Sequence, residues 1–83
     1  MKDMKDKDIK TILNRILYGK DKIVSLFFAK GWPLDLDGRM WRCLPMECYR
    51  DLFYEIMSRD DLVIVKQSSN YGVVERVDIR RMN

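Results

Sequence analysis

The sequence predicts a small α+β domain spanning residues 1–83, with two or three helices packed on antiparallel β-hairpins in the order α-α-ββ-α-ββ. Three observations lead there. Two segments carry apolar residues at helical spacing. The segment from Leu62 onward alternates β-branched and polar residues around a Gly-containing link. Between the helices lies "GWPLDLDGRMWRCLP", Gly31–Pro45, with an Asp-Gly pair at its middle.

Ile9, Ile12, Leu13, Ile16 and Leu17 fall at i, i+3, i+4, i+7 and i+8, one apolar stripe of a first helix. Lys5, Lys7, Lys10, Asn14 and Arg15 take the other face. Asp3, Asp6 and Asp8 stand near its start, where negative charge suits the helix dipole. Gly19 is the expected residue just past its end. The charged residues 1–5 are expected to fray.

"DKIVSLFFAKG" fits two structures. Asp21 can cap a helix, Gly31 can stop one, and Ile23, Val24, Phe27 and Phe28 keep helical spacing. A buried strand of that length has the same look. Helix is the favoured reading. Next, Asp37-Gly38 predicts a type I′ turn joining short strands near Leu34–Leu36 and Arg39–Cys43. Pro33 would start that hairpin's first strand, and Pro45 would be the first residue of the next helix.

That helix, Pro45 to Ser58, has an apolar face of Met46, Tyr49, Leu52, Phe53, Ile56 and Met57. Glu47, Arg50, Asp51 and Glu55 lie away from it. The chain closes with "LVIVKQ", "SSNYG" and "VVERVDIRRM", a second β-hairpin. In its last strand Val73, Val77 and Ile79 share the covered face. Val74, Arg76, Asp78 and Arg80 share the wet one.

Hydrophobic residues at 47% and charged residues at 35% make a globular composition. No apolar run approaches the ~18–20 residues of a membrane span. "MKDMKDKD" lacks the apolar core of a signal peptide. Two cysteines, Cys43 and Cys48, are fewer than small secreted domains carry, so free thiols and a cytoplasmic location are expected. No membrane partner is expected.

Several chemistries have no support. Histidine is absent, which removes Ser-His and Cys-His nucleophile pairs and most zinc sites. "DLDG" lacks the further carboxylates of a calcium loop. No phosphate-binding glycine motif occurs. No cofactor, metal or enzymatic activity is expected. A winged-helix arrangement is disfavoured, because about fifteen residues separate helices that a helix-turn-helix joins by a short turn.

Two binding surfaces remain. Trp, Met and Arg concentrated in one loop is the composition of a protein-interface hot spot. It nominates Trp32, Arg39, Met40, Trp41 and Arg42 for contact with a protein partner. The implied function is that of a non-enzymatic protein that inhibits or modulates a larger macromolecule, as accessory proteins of viruses and mobile elements do. The alternative is a nucleic-acid-binding domain. Net charge is +3, and residues 1–20 hold six Lys or Arg against three Asp. It nominates Lys5, Lys7, Lys10, Arg15, Arg80 and Arg81 for phosphate contacts. Trp32, Trp41 and Tyr71 beside Lys30, Arg39 and Arg42 would then stack bases.

Overall fold

A computed structural model describes residues 5–82. It is an α+β domain with a four-stranded mixed sheet and two α-helices. The helices are α1, Asp6–Tyr18, and α2, Tyr49–Met57. The strands are β1, Ile23–Ala29; β2, Cys43–Pro45; β3, Leu62–Asn70; and β4, Val74–Arg81. A single 3₁₀ turn, Met46–Cys48, leads into α2. The strand order is β2-β1-β4-β3. β1 pairs antiparallel with β4, β4 antiparallel with β3, and β1 parallel with β2. Residues 1–4, including Asp3 and most of the segment expected to fray, lie outside the described residues.

The α1 stripe folds as the spacing predicts. Ile9, Ile12, Leu13 and Ile16 are buried, and Leu17 packs against them. Asp6 and Asp8 occupy the first turn. Gly19 ends the helix in an extended conformation, φ −80 and ψ 179, rather than the left-handed one. Its role is steric: a Cβ there would meet the Arg15 carbonyl oxygen at 2.5 Å.

Residues 23–29 form a strand, not the expected helix. Val24, Leu26 and Phe28 are buried and alternate with Ile23, Ser25 and Phe27 on the other side. β1 and β4 are the inner strands, so β1 carries apolar residues on both faces, and that is why its sequence hides the period of two. Register places Val24 beside Ile79, Leu26 beside Val77 and Phe28 beside Leu44. With Leu62 these residues form the floor on which α1 and α2 lie, the latter through Leu52 and Ile56. The second helix is shorter than expected. Pro45 closes β2 in an extended conformation instead of opening the helix, and Met57 is exposed. Tyr49 meets Phe28 edge-on at 5.1 Å and stacks on Phe53 at 5.6 Å.

The expected hairpin at Asp37-Gly38 does not form. Asp35 Oδ1 instead accepts the Asp37 N–H at 3.2 Å, a local Asx turn. Cys43–Pro45 pairs parallel to β1, so the sheet is mixed rather than wholly antiparallel. A parallel connection needs about a dozen residues or more, and residues 30–42 supply it without regular structure. The hairpin at the C-terminus does form, and its strands run further than the sequence suggests: Ser68, Ser69 and Asn70 belong to β3. Tyr71 and Gly72 turn the corner at φ 55 and 70, both left-handed, as a type I′ turn requires. Val73 lies in that turn, exposed, rather than on the covered face.

Among the described residues, the face of the sheet away from the helices carries one buried charge. Asp78 accepts a hydrogen bond from Ser25 Oγ at 2.7 Å and one from Arg76 Nε at 3.0 Å. Arg76 also lies over the Phe27 ring at 5.6 Å. Alternation alone places Asp78 on a wet face; these neighbours cover it instead. Burial alone would raise its carboxyl. The hydrogen bonds from Ser25 and Arg76, with the charges of Arg76 and Lys66, outweigh burial and hold it below the ordinary carboxylate value. A carboxyl depressed in the folded state stabilises the fold above its unfolded pKa, and that contribution is lost as pH falls through the folded value. Asp78→Asn is therefore expected to cost about 1–3 kcal/mol at neutral pH. In urea titrations its deficit relative to wild type narrows below about pH 4. Parallel pH profiles for the two proteins would contradict this.

Candidate functional site

The 30–42 connection straddles the β2 edge of the sheet, and its two tryptophans go to opposite sides. Trp41 packs half-buried against the helix-side core. Trp32 lines a concavity of about 340 Å³ with Pro33, Asp35, Met40 and Cys43. Cys43 pairs with Phe27, which places this second concavity on the side away from the helices. Backbone bonds tie the connection down at both ends: Trp32 N–H donates to the Ala29 carbonyl at 3.4 Å, Cys43 N–H to Met40 at 2.9 Å, and Phe27 N–H to Arg42 at 2.8 Å.

On the helix side, Trp41 brings two arginines together. The Arg15 guanidinium carbon lies 5.7 Å from the indole centroid and that of Arg42 lies 5.1 Å from it. Both distances are within cation–π range. Arg42 Nη2 also reaches Asp21 Oδ2 at 3.2 Å, an exposed ion pair that contributes little to stability. Around this group opens a cleft of about 540 Å³, walled by the end of α1, by Val24 of β1 and by Trp41 and Arg42. Arg15 Nη1 is sealed from solvent and has no hydrogen-bond partner among the described residues.

The structure thus unites residues that the sequence assigned to separate surfaces. Arg15, nominated for phosphate contact, meets Trp41 and Arg42, nominated for protein contact. Trp32 and Met40 share the other concavity, and Arg39 is exposed in the same connection. The remaining basic residues do not gather. Lys5, Lys7 and Lys10 stand exposed at the start of α1, whereas Arg81 is bound at its far end. Arg81 Nη1 donates to the carbonyls of Leu17 and Gly19 at 2.8 and 3.0 Å. Lys7 and Lys10 precede Leu17 by ten and seven residues, about 15 and 10 Å along the helix. Arg80 pairs with Ile23 and Val63 and is exposed on the face away from the helices. Tyr71 is at the hairpin tip, 98% exposed. Tyr18, Lys20 and Asp21 belong to the cleft and were not nominated. Tyr18 is just off the apolar stripe, and nothing in its spacing marks it.

Among the described residues no group of three or more His, Cys, Asp or Glu is placed to hold a metal ion, and no helix is long and apolar enough to cross a membrane. Both cysteines are free. Burial, then the charges of Glu47, Asp51 and Asp8, push the Cys48 thiol up to about 11. Cys48 is therefore a protonated packing group at neutral pH, not a nucleophile. Comparison with known proteins finds no matching family model, no matching curated protein and no matching solved structure.

Half-buried Cys43 and buried Cys48 should react differently. With a colorimetric disulfide reagent at pH 8, the native protein is expected to titrate one thiol quickly, and the unfolded protein both. A Cys43→Ser variant is expected to react in the native state at least about tenfold more slowly, because only the thiolate attacks. Equal rates for the two thiols would contradict the burial of Cys48.

Proposed function

We propose that the chain is a non-enzymatic binding protein that modulates or inhibits a larger macromolecular partner through protein–protein contacts, after the manner of viral and mobile-element accessory proteins. What supports this is the composition of residues 30–42, set against what the topology asks of them. A parallel crossover needs length, which any polar residues can provide. This one instead carries two tryptophans, an exposed methionine and two arginines, the residue types that dominate interface energetics. Trp32, Pro33 and Met40 line an open, largely apolar concavity of a size to receive one or two partner side chains, and Arg39 adds a charge from the same loop. The nucleic-acid alternative would need Lys5, Lys7, Lys10, Arg15, Arg80 and Arg81 on one face, whereas Arg15 lies against Trp41, Arg81 is engaged by the carbonyls of Leu17 and Gly19, and Arg80 is on the face away from the helices, which does not favour it.

The test is quantitative affinity capture with wild type and Met40→Asp, which alters a side chain that is 62% exposed and so leaves the core intact. A hot-spot contact is worth about 2 kcal/mol or more, so the partner should be retained at least about tenfold less by Met40→Asp. An Arg80→Glu control should retain it like wild type. Identical retention by Met40→Asp and wild type would contradict the proposal. So would nucleic-acid binding with a steep salt dependence that flattens when Lys5, Lys7 and Lys10 become Gln.

A further inference from the structure

Arg15 is the side chain that the fold explains least. It lines the cleft, yet its Nη1 is out of contact with water and has no hydrogen-bond partner among the described residues. A desolvated guanidinium donor without an acceptor costs free energy, and because Nη1 is closed to water, a ligand in the cleft pairs with it only by drawing the Arg15 side chain outward. The Trp41 ring, 5.7 Å from its guanidinium carbon, supplies no oxygen to accept from it.

The cleft beside Arg15 has the chemistry of an anion site with a flat extension. Arg15, Lys20 and Arg42 set three cations against the single carboxylate of Asp21, which Arg42 already engages. The two arginines come from different elements, α1 and the 30–42 connection, and converge on one indole. A carboxylate's two oxygens are satisfied by one arginine fork. A phosphate's three can accept from two at once. A phosphate monoester carries about −1.5 to −2 at neutral pH, which suits this excess of positive charge. Asp21 in the wall opposes a longer phosphate chain. The volume, about 540 Å³, exceeds what phosphate alone would occupy and falls in the range of small-molecule sites. The Tyr18 ring, 82% exposed at the cleft, is a free aromatic surface on which a planar ring can lie.

We propose that the Arg15–Trp41–Arg42 cleft binds a nucleoside monophosphate, with the phosphate on Arg15, Lys20 and Arg42 and the base against Tyr18. This goes beyond the partner-binding surface and does not rest on it, since the two concavities lie on opposite sides of the sheet edge.

The experiment is an NMR titration of the full chain with adenosine monophosphate at low salt, read at the Trp41 indole N–H and the Arg15 amide. Inorganic phosphate and adenosine serve as the two separate halves of the ligand. A saturable shift is expected, with either half at least about tenfold weaker than the whole. Arg15→Gln should weaken the nucleotide at least about tenfold and leave the remaining spectrum native. Arg42→Gln, at an exposed position, supplies a second variant with the same expected loss should Arg15→Gln disturb the helix. No saturation by about 10 mM, or undiminished binding by Arg42→Gln, would overturn the site. Phosphate binding as tightly as the nucleotide would overturn the assignment of the base to Tyr18.

Discussion

Arg81 reaches from the end of β4 to the carbonyls of Leu17 and Gly19, and the shape of the cleft beside α1 depends on where that puts the end of the helix. A helix leaves its last carbonyls without partners, and a cation there satisfies them and opposes the negative end of the dipole. α1 has no side-chain cap at its start, so its position is fixed by its buried stripe along its length and by Arg81 at its end. The Arg81 N–H also donates to the Lys22 carbonyl at 3.1 Å, and Met82 N–H to Asp61 at 3.0 Å. The last residues of the chain thereby fasten the α1–β1 link and the entry to β3 together. Arg15, Tyr18 and the cleft they border stand on the turn of helix that Arg81 holds.

The sheet imposes the second constraint. β1 lies between a parallel and an antiparallel neighbour, and its inner face, Val24, Leu26 and Phe28, meets both helices. Setting β2 parallel to β1 forces a long connection, and that connection becomes the place where aromatic and cationic side chains stand free of the core. Trp41 is the exception that joins the two: it packs against the core and has two guanidiniums within cation–π distance of its ring. The third constraint is polar. Asp78 sits on the face without helices, and Ser25 and Arg76 make its burial tolerable by giving its carboxylate donors from β1 and β4.

Elements whose contacts repeat locally were legible in the sequence. The α1 stripe, the apolar face of α2 around Leu52 and Ile56, and the C-terminal hairpin all follow from periodicity. Ile23–Ala29 was not legible, because apolar Ile23 and Phe27 flank Ser25 on the face away from the helices and leave the strand without a polar face to reveal its period. Its partner β4 is about fifty residues away in the chain. Asp37-Gly38 has the chemistry of a hairpin turn, but β1 takes the place beside β2 that the hairpin's first strand would have filled. The type I′ geometry occurs at Tyr71-Gly72 instead, where a tyrosine accepts a left-handed backbone. The cleft was legible only in pieces. Arg15, Trp41 and Arg42 each drew notice, but two came from a loop and one from a helix, and only the tertiary fold brings them to one ring.

The partner contact proposed for the Trp32–Met40 concavity and the nucleotide binding proposed for the Arg15–Trp41–Arg42 cleft would be separate uses of one connection, and the cleft in particular presupposes a fixed end to α1. The most direct measurement is amide hydrogen exchange in Arg81→Met, which keeps an unbranched apolar stem and removes the guanidinium donors. The account predicts that amides in the last turn of α1 exchange at least about tenfold faster relative to those of β1 and β4, and that the Trp41 indole resonance moves. Unchanged protection in that turn, with Trp41 unmoved, would mean that packing alone holds the helix end and that Arg81 does not organise the cleft.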